Sequence, residues 1–153
     1  MRALVQAAYA IRRRILALLR LRTSGVKVML FNDEGELLLI RNTYGNRDLF
    51  LLPGGGIGPL ETPEAAGARE VREELGIDAC ELTLLGVYES AREGKRDMIY
   101  LFKAKASGVV KPDPIELEEA RYFSLDALPE STSPATLRRI QEINKERSID
   151  GRW

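Results

Sequence analysis

The stretch GGIGPLETPEAAGAREVREELGI, running from Gly55 to Ile77, decides how the rest of the chain is read. Thr62 is a good helix cap, Pro63 suits a first helical position and Gly76 suits the left-handed residue that ends a helix. These signals predict a helix of roughly three and a half turns behind a glycine-rich loop. Ala68, Val71 and Leu75 form its apolar stripe, while Glu70, Glu73 and Glu74, three and four residues apart, share a face. Three carboxylates so placed repel one another. Each like-charged pair costs a helix about 0.2 to 0.5 kcal/mol, and the last turn is the negative end of the helix dipole. A hard cation reverses both penalties, because Mg²⁺ or Mn²⁺ takes oxygen ligands and Mg²⁺ usually combines one or two carboxylates with substrate phosphates. The glycines at 54 to 56 let the backbone pass close enough for a main-chain carbonyl to complete such a site. The plainer alternative is a solvated helix of good helix formers in which Arg69 and Glu73 make an ordinary surface ion pair.

Gly55, Glu61 and the run Arg69-Glu70-Val71-Arg72-Glu73-Glu74-Leu75-Gly76-Ile77 fill every fixed position of a known pattern, and the stretch resembles the Nudix box. At roughly one in fifteen per identity, seven fixed residues coincide by accident on the order of once in a hundred million registers. The resemblance covers residues 25 to 145 and implies a Nudix-type α/β/α sandwich (α/β or α+β class), with a mixed β-sheet between helices. It implies hydrolysis of a nucleoside diphosphate linked to another group, by attack of water on phosphorus, with Mg²⁺ as cofactor or Mn²⁺ in its place. By the same resemblance, Glu70 and Glu74 are metal ligands with Glu73 sharing that role, and the loop carbonyls at Gly54 and Gly55 complete the set. Arg69 holds a glutamate in its working orientation, and Glu61 ties the loop to the helix. A box glutamate, or Glu116 in the acidic Glu116, Glu118, Glu119 region before Phe123-Ser124-Leu125, takes the proton from the water. Gly54, Gly55 and Gly56 face the substrate, with Arg41 as a candidate for its phosphate or base edge. Tyr44, Phe50, Tyr88 and Tyr100 are candidates to stack on a base, though such residues more often pack in a core.

The marks of named subfamilies are missing. No proline falls between Pro63 and Pro112, where ADP-ribose hydrolases typically carry one, and Glu93 to Lys95 replace the tyrosine usual in diadenosine-polyphosphate hydrolases. Gly56 stands where mutator-type triphosphatases have a lysine, and the downstream NADH-type and upstream coenzyme A motifs are absent. The substrate is therefore expected to be a small nucleotide-type molecule of unspecified leaving group.

Outward from the box, Val26 to Phe31 reads as an apolar, β-branched strand, Asn32 to Gly35 as a turn and Leu37 to Ile40 as its hairpin partner. A short strand is expected at Leu49 to Leu52. Two more are expected at Leu82 to Glu89 and Met98 to Ala106, around a turn at Arg92 to Lys95, and a last one near Ala120 to Phe123. Ser133 and Pro134 start a terminal helix with Leu137, Ile140 and Ile143 on one face.

Residues 1 to 22 carry six arginines and no acid, with apolar residues at helical spacing from Leu4 to Leu19. This predicts a basic amphipathic helix in an N-terminal extension, residues 1 to 24, ahead of a catalytic domain at 25 to 153. Packing on its own domain or on a homodimer partner, peripheral contact with anionic lipid, and arginines over the active site compete as its role.

The chain has 153 residues, the length of one domain. Its 23 basic and 23 acidic residues cancel, so no overall field advertises a nucleic-acid partner, and none is expected. With no histidine, imidazole bases, histidine triads and histidine-rich zinc sites are excluded. The one cysteine, Cys80, cannot form an internal disulfide, which fits a reducing, cytoplasmic setting, and it is expected as a small apolar filler. The competing functional class is a non-catalytic Nudix-fold module that binds nucleotide or docks on a membrane or protein. The intact glutamate set disfavours it.

Overall fold

The computed structural model describes residues 23–45, 47–92 and 95–153. The N-terminal helix expected at residues 1 to 22 lies outside these residues, and so does the tip of the turn expected at Arg92 to Lys95. The strands are β1 (Thr23–Phe31), β2 (Leu37–Asn42), β3 (Asp78–Arg92), β4 (Lys95–Ser107) and β5 (Leu117–Phe123). The helices are α1 (Pro63–Leu75) and α2 (Pro134–Ile143). The strands form one mixed sheet in the order β3-β4-β1-β2-β5.

Alternation along each strand supplies a core on both faces of the sheet. Val26, Val28, Leu30, Leu38, Ile40 and Phe102 point to one side, where Ala66, Val71 and Leu75 of α1 cover them. Met29, Leu37, Leu39, Phe50, Leu52 and Leu101 point to the other and meet Ile140 of α2. Each fully buried side chain of this size contributes about 1.5 to 3 kcal/mol, so the helices are held by packing rather than by propensity. The expected α/β/α sandwich with a mixed sheet is the fold observed.

Several local expectations are corrected. Leu49 to Leu52 is not a strand, because Phe50 and Leu51 make only isolated bridges, to Thr132 and Ile40. The buried face of α1 is built on Ala66, Gly67, Val71, Glu74 and Leu75, with Ala68 at its half-buried margin. Thr136, Arg139 and Ile140 form the buried face of α2, and Leu137 is exposed. Cys80 is exposed on the edge strand β3 and fills no core. The expected β1/β2 hairpin is present, paired at Phe31↔Leu37, and β1 also runs parallel to β4 from Thr23↔Asp97 to Phe31↔Lys105. Among the described residues no helix is long and apolar enough to cross a membrane.

Candidate active site

Strands β1 and β2 pair at Phe31↔Leu37 and then diverge, leaving a fork at one end of the sheet. The segment from Leu51 to Ile57 fills it. Leu51 exchanges backbone hydrogen bonds of 2.9 and 2.8 Å with Ile40, and the segment then crosses to β1. There Val28 N–H donates to Pro53 O at 3.0 Å, Val26 N–H to Gly55 O at 2.9 Å, and Ile57 N–H to Ser24 O at 3.0 Å. Two glycines shape the crossing, and the backbone demands the first. Gly54 has φ of 132° and a Cβ there would fall 2.2 Å from the Val26 carbonyl oxygen. At Gly55 a Cβ would sit 2.6 Å from the Glu70 carboxylate, so that glutamate lies directly on the loop backbone.

Helix α1 delivers its charged residues to this loop. Thr62 caps it by accepting the Ala65 N–H at 3.2 Å, and Gly76 closes it in the left-handed region at φ 65°. Arg69 is the hub, and all five of its N–H groups find acceptors. Its Nε and one Nη2 hydrogen bind Glu61 at 2.8 and 3.0 Å, Nη2 also reaches Gly56 O at 2.9 Å, and Nη1 binds Glu70 at 2.8 Å and Glu73 at 2.9 Å. The paired guanidinium, with the Gly58 N–H, holds the Glu61 carboxyl down to about 2, and Glu61 in turn raises Arg69 above its ordinary value.

Glu74 turns inward. It is 4% exposed and accepts the Gly54 N–H at 2.9 Å, and burial pushes its carboxyl up to about 7 against the opposing charge of Lys27. Lys27 is half-buried, and its ammonium donates to Leu52 O at 2.9 Å and Gly54 O at 3.1 Å. Burial lowers its pKa while Glu74 and Glu70 act to raise it. Nothing in the sequence reading singled this lysine out, although a lone charge between Val26 and Val28 in an apolar run was a usable signal.

A second loop meets the first. Lys111 N–H donates to Leu75 O at 2.8 Å and Asp113 N–H to Glu74 O at 2.9 Å, so the segment before β5 is docked on the last turn of α1. That brings half-buried Glu116 into the field of the box, where burial, Asp113, Glu70 and Glu73 all push its carboxyl up. Buried Thr43, just past the end of β2, anchors it, its N–H donating to Glu116 O at 2.8 Å and its hydroxyl to Ile115 O at 2.6 Å. Glu118 and Glu119 are committed elsewhere. Glu119 accepts from Arg41 at 2.9 Å and Glu118 stands 3.9 Å from Arg47.

Arg41 lines an open cleft of about 410 Å³ with Gly45, Arg47, Asp48 and Glu118. Its guanidinium lies 5.5 Å from the Phe50 ring centroid, and among the described residues its Nε and the Asn42 side-chain oxygen find no hydrogen-bond partner. Of the candidate stacking aromatics, Phe50 and Tyr88 are core residues, Phe50 edge-on to Phe123 and Tyr88 edge-on to Trp153. Tyr44 and Tyr100 are half-buried.

The fold thus brings Glu70, Glu73, Glu74, Arg69, Glu61, Gly54, Gly55, Gly56 and Glu116 together and puts Arg41 in an adjoining cleft. Among the described residues no three carboxylates already surround one point, since Arg69 draws Glu70 and Glu73 and the Gly54 N–H holds Glu74. The donor set nonetheless suits a hard cation. It is all oxygen, and the Glu74 carboxyl stays raised by burial, Glu70 and Glu116 in spite of Lys27, an excess of negative charge that such a cation relieves.

Known proteins resemble this chain in sequence and in fold. A MutT NUDIX hydrolase structure from Burkholderia pseudomallei superposes with a TM-score of 0.73 at 30% identity, over 80% of this chain and 98% of that one. The NAD-capped RNA hydrolase NudC of Vibrio atlanticus is 29% identical over 112 residues, 73% of this chain and 41% of its own length. The RNA pyrophosphohydrolase of Pseudomonas syringae pv. tomato is 42% identical over 60 residues, 39% of this chain and 36% of its own. The chain thus spans well under half the length of these two relatives. The NUDIX domain family profile matches residues 21–142, which contain the glycine loop, α1 and the Glu116 segment, and the chain belongs to the Nudix family.

Proposed function

We propose that the protein is a divalent-cation-dependent pyrophosphohydrolase that cleaves a nucleoside diphosphate linked to another group, by attack of water on phosphorus. The observation that carries this reading is the Arg69 hub, which gathers Glu61, Glu70, Glu73 and the Gly56 carbonyl on one guanidinium. An ordinary surface ion pair needs none of that convergence. Glu70 and Glu74, supported by Glu73, would hold Mg²⁺ or Mn²⁺, and the Gly54 and Gly55 carbonyls, each already accepting one bond, from Lys27 and from the Val26 N–H, would offer only their second lone pair to it. Bound there, such a cation neutralises pyrophosphate charge and acidifies a water.

The chain's own residues do the rest. Arg69 fixes the direction of the Glu70 carboxylate through a charge-assisted bond, which restricts the side chain to one working geometry. Glu116 is the proposed general base, since a carboxyl raised toward neutrality by burial and neighbouring acids is a better proton acceptor. The Gly54 to Gly56 backbone gives substrate close approach. Arg41, braced by Glu119, presents cationic N–H groups along the cleft beside it. Two relatives are named for RNA substrates, so the expectation of no nucleic-acid partner does not extend into the proposal.

The test is product release from a panel of nucleoside triphosphates, nucleotide sugars, dinucleotides and 5′-triphosphate or NAD-capped RNA, with Mg²⁺ and with EDTA. Mg²⁺-dependent release of a phosphate or nucleoside monophosphate product is expected from at least one compound. Release from none, or release undiminished in EDTA, overturns the reading.

A further inference from the structure

The glycine loop is gripped from two sides by opposite charges. Glu74 takes the N–H of Gly54 at 2.9 Å, and Lys27 takes the carbonyl of the same residue at 3.1 Å together with Leu52 O at 2.9 Å. One peptide segment therefore separates a half-buried ammonium from a buried carboxylate, and no ion pair among the described residues joins the two directly. Lys27 interrupts the apolar alternation of β1, with Val26 and Val28 on one face of the sheet and Met29 on the other wholly buried. Placing an ammonium there carries a desolvation cost that a methionine or leucine would avoid. Its return is electrostatic, because its charge faces Glu74 and Glu70 through protein rather than through water.

We propose that Lys27 is an internal counter-cation of the box carboxylates, a positioning residue whose ammonium holds the Leu52 and Gly54 carbonyls and moderates the affinity of the site for a divalent cation. This rests on the proposed metal role of Glu70 and Glu74. A site with three glutamates and no compensating charge would bind its cation tightly, gather like charges when empty and release metal-bound product slowly. With one fixed positive charge behind the loop, the empty site is partly neutralised and the incoming dication meets weaker net attraction. The carbonyl bonds serve a second end. They tie down the two peptide units that flank the Pro53–Gly54 peptide, whose N–H is held by the carboxylate of Glu74.

The experiment compares Mn²⁺ binding by calorimetry, in the absence of substrate, for wild type, Lys27→Gln, Lys27→Met and Lys27→Arg. Glutamine keeps an N–H donor for a loop carbonyl and removes the charge, methionine removes both, and arginine keeps the charge. Lys27→Gln and Lys27→Met should bind Mn²⁺ about tenfold more tightly, with Lys27→Arg within about twofold of wild type. Melting in EDTA and in saturating Mg²⁺ gives a second readout that survives a poorly stable variant, and the gain on adding Mg²⁺ should be larger for the two neutral variants. Affinity unchanged or weakened in Lys27→Gln overturns the proposal while leaving the metal reading intact. Wild type that binds no Mn²⁺, or binds it undiminished after Glu74→Gln, removes the metal reading and this proposal with it.

Discussion

At the scale of single residues, Glu74 concentrates the conflict between stability and function. Its carboxyl is raised from 4.5 to about 7, so the folded state binds the proton more tightly than the unfolded chain does. Below about pH 4.5 both states are protonated and the residue carries no penalty, which then grows as pH rises and is complete once pH passes about 7. The shift bounds that penalty at about 3 kcal/mol. In EDTA, urea unfolding should show wild type losing stability relative to Glu74→Gln between pH 4.5 and 7, with a constant gap above; a gap that does not change with pH would contradict the burial account. Arg69 makes a different demand, because its five bonds need a planar fork. Arg69→Lys keeps the charge and loses most of the contacts, so turnover should fall by about tenfold or more while folding survives, as steady-state kinetics and circular dichroism would show together. The clustering of Glu70, Glu73, Glu74 and Arg69 was open to sequence reading because the box spacing is local and helical. Lys27 was not, since its partners lie 25 and 27 residues away and a lysine in a strand carries no mark of where its ammonium ends.

At the scale of elements, the helix was legible and the loop was not. Thr62, Pro63 and Gly76 act within a turn of the residues they cap, so α1 stands where the sequence put it. Leu49 to Leu52 has strand composition, yet the segment becomes the wedge in the β1/β2 fork, a fate decided by pairing with Ile40 and Thr132. The two glycines of that wedge should behave differently. Gly54→Ala drives a Cβ into backbone at 2.2 Å with φ of 132° and should leave little folded protein, whereas Gly55→Ala meets only the movable end of Glu70 at 2.6 Å. For Gly55→Ala the expected result is a Tm within a few degrees of wild type and turnover reduced by about tenfold or more, because the glutamate is displaced. Equal turnover would mean that Glu70 is not needed where it stands.

At the scale of the whole molecule, the α2 face depends on a polar cluster that no periodicity announced. Arg139 is 0% exposed, lies 3.9 Å over the Tyr88 ring, pairs with Glu142 at 2.8 Å and donates to Arg152 O at 2.7 Å, while the Tyr88 hydroxyl donates to Glu142 at 2.8 Å. Gly151 to Trp153 then runs beside β3, with Glu89 N–H donating to Gly151 O and Trp153 N–H to Glu89 O. Arg139→Met strands Glu142 and should cost about 3 to 5 kcal/mol in urea unfolding, most of it recovered by adding Glu142→Leu. No recovery would mean that the cluster acts through shape rather than charge. Arginine on a helix reads as solvated unless the tail that covers it is known, which is why Leu137 looked like the buried face. The α/β/α layers themselves were implied by the resemblance to the Nudix box and by strands mixed with helices on both sides of it. The most direct measurement is Mg²⁺-dependent turnover of the best panel substrate by wild type and Glu74→Gln, with the melting temperature of each recorded beside it. The account predicts a loss of at least about a hundredfold in the variant, without loss of stability. Undiminished turnover by a folded Glu74→Gln would contradict it.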